Sequence, residues 1–447
     1  MRTHILACLI FILPVVSFSQ ETWSLEKCIE YALTNNLQIK QSRLDVEIAD
    51  ENVLQSKGQF LPSINGNAYH QFNYGRTIDP YTNQFATDWV QSSNFSIGAD
   101  LVLFNGLQNY RNYQQNKYAL EASRSGLKST EYDIILSITQ AYMEILFTIE
   151  NLKVAYSQVA TTEQQVERTR KLVNAGSSAQ SDLLDIEAQL ANEELNVVDL
   201  ENQQSISYLN LLQLLQLSGE TDFAIETPDS TSTVPEQLPP SPEGIIGIAL
   251  SSYPSLQQAE YQKLNAESYL RLTRGGYSPT FSLSGRIATG YSGIRTYDFS
   301  TEVMTFGDQF DVNLNRTIGF NLTVPIFNRF TTYTNVGKAK IQLEQANTAF
   351  EQEEQRIRQT IEQAYADAKA AYKRYYATEK SMRALEMSFS YAEKRFDVGA
   401  INAVDYTVAK NNLTQAQADL IRAKYEYRFR FLILQLYKGE TNWTNQQ

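Results

Sequence analysis

Residues 134–173 read IILSITQAYMEILFTIENLKVAYSQVATTEQQVERTRKLV. Apolar residues or threonine recur there at alternating spacings of four and three: Ile134, Ile138, Ala141, Ile145, Thr148, Leu152, Ala155, Val159, Thr162, Val166, Thr169 and Val173. A period of 3.5 residues predicts a helix that packs in a left-handed coiled coil. The helical stretch extends back to Gly106, which corresponds to roughly 100 Å at ~1.5 Å per residue. Because no compact globule needs that length, we expect an extended architecture.

The chain carries an internal duplication. Gly176 and Asp182 recur 223 positions later as Gly399 and Asp405, and the seam recurs as Ile357, Ile361, Ala364, Ala368, Ala371, Tyr375, Thr378, Met382, Leu385, Phe389, Ala392 and Phe396. A return helix with apolar positions Leu184, Ala188, Ala191, Leu195, Val198, Leu209 and Leu212 follows the first turn. We predict a signal peptide at 1–19, a first half at 20–226, a Pro/Ser-rich linker at 227–243 and a second half at 244–447.

Each half begins with a helical stretch, 23–57 or 242–274, continues with two strands and ends in a long helical hairpin. The strands alternate apolar and polar residues. Their apolar faces carry Ile64, Ala68, Phe72 and Tyr74; Phe95, Ile97, Ala99, Leu101 and Leu103; Phe281, Leu283, Ile287 and Tyr291; Ile318, Phe320, Leu322, Val324 and Ile326. This pattern fits a half-buried soluble sheet or a membrane β-barrel, and export together with the helix length favours the barrel.

Four strands cannot close a barrel, so strands from other chains must complete it. Two chains would supply eight strands and three chains twelve, and the residues alone leave both open. The composition excludes other classes. A net charge of −12 argues against a nucleic-acid partner, and 2 His and 2 Cys argue against a metal centre or a disulfide scaffold. We find no catalytic motif and predict neither an enzyme nor a cofactor.

The order of these elements resembles the TolC family of outer-membrane efflux proteins. The resemblance rests on the junctions Gly58-Gln59-Phe60-Leu61-Pro62, Leu103-Phe104-Asn105-Gly106, Gly275-Gly276-Tyr277-Ser278-Pro279 and Val324-Pro325-Ile326-Phe327-Asn328, and on the two hairpin turns. It implies a mainly α homotrimer with a twelve-stranded barrel in the outer-membrane lipid and a coiled-coil tunnel in the periplasm. The linker would belong to an equatorial belt.

The resemblance also implies a passive conduit that a periplasmic adaptor and an inner-membrane transporter open for efflux. Protein secretion by the type I route is the alternative, and an exported coiled-coil scaffold without a pore is a further one. The family docks its adaptor at the hairpin turns, which here contain Val173, Ala175, Gly176, Ser181, Leu184, Val398, Gly399, Ala400 and Val404. From geometry alone, Gly176 and Gly399 are expected to be helix C-caps.

The resemblance places a periplasmic gate at Asp405, where three copies would form an acidic ring. Val408 occupies the position of the family's second acid, whereas Asp182 and Asp185 supply both acids in the first half. The alternative is an acid at a helix N-terminus favoured by the helix dipole; it fits Asp405 as well as the gate does, and it is preferred for Asp182 and Asp185. The loops 75–91 and 293–313 should be extracellular, and their aromatic residues suit either a membrane interface or a constriction of the outer mouth: Tyr81, Phe85, Trp89, Tyr297, Phe299, Phe306 and Phe310.

Overall fold

The computed structural model describes residues 22–79, 81–83, 85–86, 89–217, 223–227 and 241–439. The predicted signal peptide at 1–19 lies outside the described residues, as do residues 228–240 of the predicted linker. Within the described ranges, no helix is both long enough and apolar enough to cross a membrane.

The chain forms two compact units, and each takes segments from both halves of the sequence. The strand unit comprises Gln41–Ser129 and Leu250–Arg358. The helical unit comprises the described parts of Met1–Lys40, Thr130–Ala249 and Gln359–Gln447.

The strand unit contains a four-stranded antiparallel sheet. Its strands are β2 (Ser63–Tyr74), β5 (Trp89–Phe104), β7 (Thr280–Ser292) and β8 (Asn315–Thr323), which follow one another in that order. The short strands β3 (Thr77–Ile78) and β4 (Phe85–Ala86) pair within the β2–β5 loop, and the helix α7 (Phe306–Val312) lies in the β7–β8 loop. Within the sheet, β2 and β8 are the edges.

The register of the sheet brings the four predicted apolar faces to one side. Ile64 pairs with Ala99, Ile97 pairs with Ile287, and Leu283 pairs with Phe320. Directly paired residues share a face, so the other face carries the intervening residues, which are mostly Ser, Asn, Thr and Gly. Large apolar side chains remain exposed on the apolar face, among them Ile64, Ile97, Ile287, Ile318, Phe320 and Leu322.

Helices continue from the end of the sheet opposite the two loops. The strand unit contains most of α2 (Leu37–Gly58) and all of α6 (Pro254–Arg274), with the beginnings of α3 (Gln108–Asn174) and α8 (Thr331–Asp397). Ala49 and Val53 of α2 pack against Leu120 of α3, and Leu270 of α6 packs against Val336 and Ala339 of α8. These contacts provide the apolar core below the sheet strands.

The helical unit holds the remainder of α3 and α8 with their return helices α4 (Gln180–Leu215) and α9 (Ala403–Lys438). It also contains α1 (Leu25–Asn35), α5 (Pro242–Ser252) up to Ala249, and a parallel pair of two-residue strands, β1 (Thr22–Trp23) and β6 (Ala224–Ile225). The hydroxyl of Tyr142 donates to the carbonyl of Glu226 at 2.8 Å, which ties α3 to the end of β6.

The predicted seam of α3 is confirmed. Nine of its twelve positions are buried, and Ala141, Val159 and Val173 are half-buried. Leu152 and Ala155 pack against Val197 of α4. In α8 the same seam is buried from Ile357 to Ala371 and only half-buried from Tyr375 to Phe396. The two repeats therefore bury their seams to different depths.

The predicted seam of α4 is not the one that packs within the chain. Leu184, Leu195, Val198 and Leu209 are exposed, and Leu195 retains 60% of its surface. The buried apolar residues are instead Leu183, Ile186, Val197, Leu211 and Leu215. Adjacent residues point about 100° apart around a helix. The sequence of α4 thus contains two apolar stripes, and the chain covers only one.

Both predicted N-terminal helical stretches are interrupted. In the first half, Trp23 belongs to β1 and not to the helix. Asn36 separates α1 from α2. The Asn36 Oδ1 accepts from the Gln38 N–H at 2.8 Å, and the Asn36 Nδ2 donates to the Leu214 carbonyl at 3.0 Å. In the second half, Tyr253 is extended between α5 and α6 because Pro254 disfavours a helical conformation in the preceding residue.

Two strand boundaries also differ from the prediction. The strand β8 ends at Thr323, so the prediction that Val324 and Ile326 continue it is wrong; Pro325 has no N–H to extend the ladder. Trp89 pairs with Tyr74 and begins β5, so it belongs to the strand and not to the loop 75–91.

Candidate docking and gating site

The two hairpin turns have the same backbone geometry. Gly176 has φ +74° and Gly399 has φ +73°. Gly176 N–H donates to the Val173 carbonyl at 2.9 Å, and Ser177 N–H donates to the Leu172 carbonyl at 2.8 Å. This pair of bonds is a Schellman motif, which satisfies the last carbonyls of the helix.

The equivalent bonds recur in the second turn. Gly399 N–H donates to the Phe396 carbonyl at 2.9 Å, and Ala400 N–H donates to the Arg395 carbonyl at 2.7 Å. The prediction that both glycines cap helices in the left-handed conformation is therefore confirmed.

The residues predicted for docking are mostly exposed. This holds for Ala175, Gly176, Ser181, Leu184, Val398, Gly399, Ala400 and Val404. The exception is Val173, which is half-buried and packs against the cluster of Val166, Leu183 and Ile186. Phe396 packs against the same cluster, so Val173 and Phe396 attach the residues just before both turns to one apolar cluster. Val398 stays 79% exposed although it is apolar.

The predicted gate residues lie at the beginnings of the return helices. Asp182 occupies a capping position, since its Oδ2 accepts from the Ser178 hydroxyl at 2.7 Å and from the Ala179 N–H at 3.2 Å. Asp405 occupies the equivalent third position of α9, but there the N-cap side chain of Asn402 accepts from the Asp405 N–H at 2.8 Å. Asp405 is exposed, as are Val408 and Asp185 on the next turn.

An ionic contact joins the two hairpins close to these turns. Arg168 on α3 bonds to the carboxylate of Asp397 at the end of α8, and its other guanidinium nitrogen donates to the Asp397 carbonyl at 3.2 Å. Arg170 pairs with Glu187 of α4 at 2.9 Å. Charged side chains therefore surround the apolar cluster beneath the turns.

A buried polar cluster farther along the helices was missed from the sequence. Nζ of Lys410 on α9 lies 3.0 Å from the carboxylate of Glu193 on α4, and it donates to Thr162 Oγ1 and to the Gln158 carbonyl, at 3.1 Å, on α3. The Lys410 side chain is 5% exposed and that of Glu193 is 10% exposed. Burial lowers the pKa of Lys410, and the charge of Glu193 opposes that effect.

One sequence signal could have indicated the cluster. Lys410 lies four residues after the buried Tyr406. Other buried positions of α9 include Ala416, Ala423 and Tyr427, so the lysine stands among apolar and aromatic residues. A lysine in an apolar seam requires an acceptor from a neighbouring helix.

At the loop end of the sheet, the two loops cover opposite faces. The rings of Phe306 and Phe310 from α7 lie 6.0 Å and 6.2 Å from the ring of Phe95 on the apolar face. On the polar face, the Tyr81 hydroxyl donates to the Ser93 carbonyl at 2.9 Å and accepts from Asn94 Nδ2 at 3.1 Å. Of the aromatic residues predicted for the loops, Phe306 and Phe310 therefore lie on the apolar face and Tyr81 lies on the polar face.

The family assignment rests on comparison with known proteins. The family model described as "Outer membrane efflux protein" matches residues 28–216 and 245–439. Three relatives are similar over nearly the whole chain. BepC of Brucella suis, an outer membrane efflux protein, is 24% identical over 401 residues, which are 88% of this chain and 80% of BepC.

The outer membrane protein TolC of Vibrio cholerae is 23% identical over 92% of this chain and 90% of its own length. The proteases secretion protein PrtF of Dickeya chrysanthemi is 20% identical over 96% of this chain and 91% of its own length.

The fold agrees with solved structures of such proteins. A crystal structure of CusC superimposes with a TM-score of 0.80 at 17% identity, covering 93% of this chain and 91% of CusC. The predicted fold class, mainly helical with a β portion, is confirmed. The chain therefore belongs to the outer membrane efflux protein family, and the TolC-family resemblance of its sequence and its location in the outer membrane are confirmed.

Proposed function

We propose that the chain is the outer-membrane channel of a tripartite efflux system, a passive homotrimeric conduit from periplasm to exterior. The observation that carries the proposal is the four-stranded sheet, which has one exposed apolar face, one polar face and two open edges. In a bilayer, unpaired strand edges are too costly to persist. The edges of β2 and β8 therefore pair with strands of other copies.

Three copies supply twelve strands, which is enough to enclose a water-filled lumen. The apolar face with Ile97, Ile287 and Ile318 then contacts lipid, and the polar face lines the lumen. The uncovered stripe on α4 supports the same assembly, because Leu195 and Val198 present an apolar seam that a helix of a neighbouring copy covers.

The hairpin turns are the proposed docking site of a periplasmic adaptor, which couples the channel to an inner-membrane transporter. Their backbones are rigidly capped and their small or apolar side chains face solvent, as at Ala175, Val398 and Ala400. Asp405 is the proposed gate residue because it is exposed, whereas the Asp182 carboxylate accepts two capping hydrogen bonds.

Channel formation is tested with the full chain purified from outer membranes. We expect an oligomer that is resistant to detergent until heated and that conducts ions across planar bilayers. A monomer without conductance would contradict the proposal and favour an exported scaffold. Phe320→Asp at the β8 edge should abolish both properties because it buries a charge in lipid. Asn321→Asp, on the polar face next to it, is the matched control and should retain both.

Efflux is distinguished from protein secretion in cells. Deletion of the gene should sensitise the cell to a panel of toxic compounds, and the intact gene should restore resistance. The relative named for protease secretion makes secretion the second candidate. Unchanged sensitivity combined with loss of a secreted protein would favour that alternative.

The gate is tested in the same bilayers. Asp405→Ala should raise the conductance or weaken block by divalent cations, because it removes three carboxylates from one ring. Asp199→Ala, an exposed acid midway along α4, is the control. Equal behaviour of the two variants would remove Asp405 from the gate.

A further inference from the structure

The strand unit assigns Tyr81 as a constriction at the outer end of the channel, and we propose that it sets the size limit for solutes at that end. The inference rests on the proposed function, because it requires the polar face of the sheet to line a lumen.

Tyr81 lies on the polar face. Gly290 of β7 pairs with Asn94 of β5, and its missing Cβ would point to the same side as the Asn94 side chain. A Cβ built on Gly290 would overlap the Tyr81 hydroxyl. The tyrosine ring therefore reaches across β5 to β7 and uses the space that a glycine leaves open. Its hydroxyl bonds to the Ser93 carbonyl and to Asn94 fix that position.

The segment that carries Tyr81 is anchored through Asp79. Oδ1 of the preceding Asp79 accepts from the Tyr81 N–H at 2.9 Å and from the Thr82 N–H at 2.7 Å. The other oxygen of Asp79 accepts from the hydroxyl of Ser292 at the end of β7. A carboxylate that is completely buried and receives three hydrogen bonds holds its backbone firmly.

The other loop reinforces the same anchor. The amide of Gln309 on α7 accepts from the Ser292 N–H at 2.8 Å and donates to the Ser292 carbonyl at 2.9 Å and to the Met304 carbonyl at 3.0 Å. Asp79, Ser292 and Gln309 are all completely buried. The two loops are thus joined through Ser292, and they cover the polar face with Tyr81 and the apolar face with α7.

This arrangement has a functional consequence. Towards the helix end of the polar face, side chains such as Asn65 and Asn321 are exposed and short, and we expect the lumen to be wider there. Three anchored Tyr81 rings narrow the opening at the loop end. The narrowing is independent of the periplasmic turns, so it restricts entry of bulky solutes from outside even when the tunnel is open.

The size limit is measured by polymer exclusion in planar bilayers. Neutral polymers of graded size are added on the loop side of full-length channels, and those that enter the mouth lower the conductance. We expect Tyr81→Ala to admit larger polymers than the wild type and to conduct more. The matched control is Phe306→Ala, which removes an aromatic ring from the loop on the apolar face and should leave the limit unchanged.

Two results separate this inference from the proposed function. A wild-type chain that forms no channel would refute the proposed function. A conducting Tyr81→Ala channel with the wild-type exclusion limit would overturn the constriction alone.

A second variant covers the case in which Tyr81→Ala does not assemble. Tyr81→Cys channels are treated from the loop side with a bulky, charged thiol reagent, while Cys28 is buried and stays unreactive. The current should fall for Tyr81→Cys and remain constant for Phe306→Cys. An unchanged current after confirmed labelling of Tyr81→Cys would place the residue away from the lumen.

Discussion

Lys410→Met tests how strongly the buried ion pair stabilises the helical unit. Methionine retains the apolar length of the side chain but removes the ammonium group, which leaves the Glu193 carboxylate at 10% exposure without its cation. Removing one partner of a buried pair costs roughly 3–5 kcal/mol of unfolding free energy. Glu193, Thr162 Oγ1 and the Gln158 carbonyl each lose the bond from Lys410, whereas the Glu193 carboxylate keeps bonds from Thr162 and Gln189. We therefore expect a loss within that range.

The double variant separates the pair from its surroundings. Lys410→Met with Glu193→Leu removes both charges, and most of the loss should be recovered because apolar pairs of similar volume replace buried ion pairs with little or no penalty. The two single losses should therefore sum to far more than the double loss.

The pH dependence has a definite sign. Burial lowers the pKa of Lys410 below its ordinary 10.5, so between the lowered pKa and 10.5 the unfolded chain binds more protons than the folded chain. The stability contributed by this site therefore rises with pH across that interval. Lys410→Met should show no such rise relative to wild type.

The assay is thermal unfolding of the detergent-purified full chain, followed by helical circular dichroism. Arg374→Met is the matched control, because Arg374 pairs with Glu426 at the same 3.0 Å separation but is 62% exposed. Such a surface pair contributes only about 0–1 kcal/mol. If Lys410→Met lowered the transition no further than Arg374→Met, the buried pair would not be a major source of stability.

Three further predictions concern the turns, the assembly and the tyrosines. Gly399→Ala should destabilise the chain by about 1–2 kcal/mol in chemical denaturation, since φ +73° strains any other residue. The control Gly247→Ala in α5 should be neutral or stabilising. Equal effects of the two substitutions would contradict the role of the turn. Leu195→Glu should weaken the oligomer on unheated gels by charging the uncovered α4 stripe, and an intact trimer would show that the stripe is not an interface. Burial raises the pKa of Tyr427 to about 12, so its stabilising contribution is complete below pH 10 and is lost as the pH rises to about 12. Tyr427→Phe should reduce the alkaline loss of stability measured by circular dichroism, and an unaltered pH profile would argue against this assignment.

Features that depend on local periodicity could be predicted from the sequence. Nine of the twelve seam positions from Ile134 to Val173 are buried, because a 3.5-residue repeat fixes which side of a helix is apolar. The apolar strand faces align for a similar reason, since alternation fixes a face and a shift of one residue would reverse it. Gly176 and Gly399 adopt positive φ because their position after a helix favours it.

Features that depend on partners could not be predicted. In α4, the adjacent residues Leu183 and Leu184 point to different sides of the helix. Periodicity alone does not predict which of these two apolar sides packs within the chain. Likewise, Asn36 interrupts a helix through a hydrogen bond to Leu214, which is distant in sequence. Tyr81 and Phe306 lie in two loops of similar aromatic content, and their sequences do not distinguish them. Only the register of the sheet shows that the two residues lie on opposite faces.

The two open sheet edges also bear on how the protein reaches its folded state. A lone chain would leave the backbone groups of β2 and β8 unpaired and the apolar face uncovered, so the strands gain their final environment only when copies meet. Strand folding, assembly and membrane insertion then become a single concentration-dependent process. Before assembly, the same edges can pair with any exposed strand, so formation of the proposed trimer requires that the chain be kept apart from other chains until its copies associate.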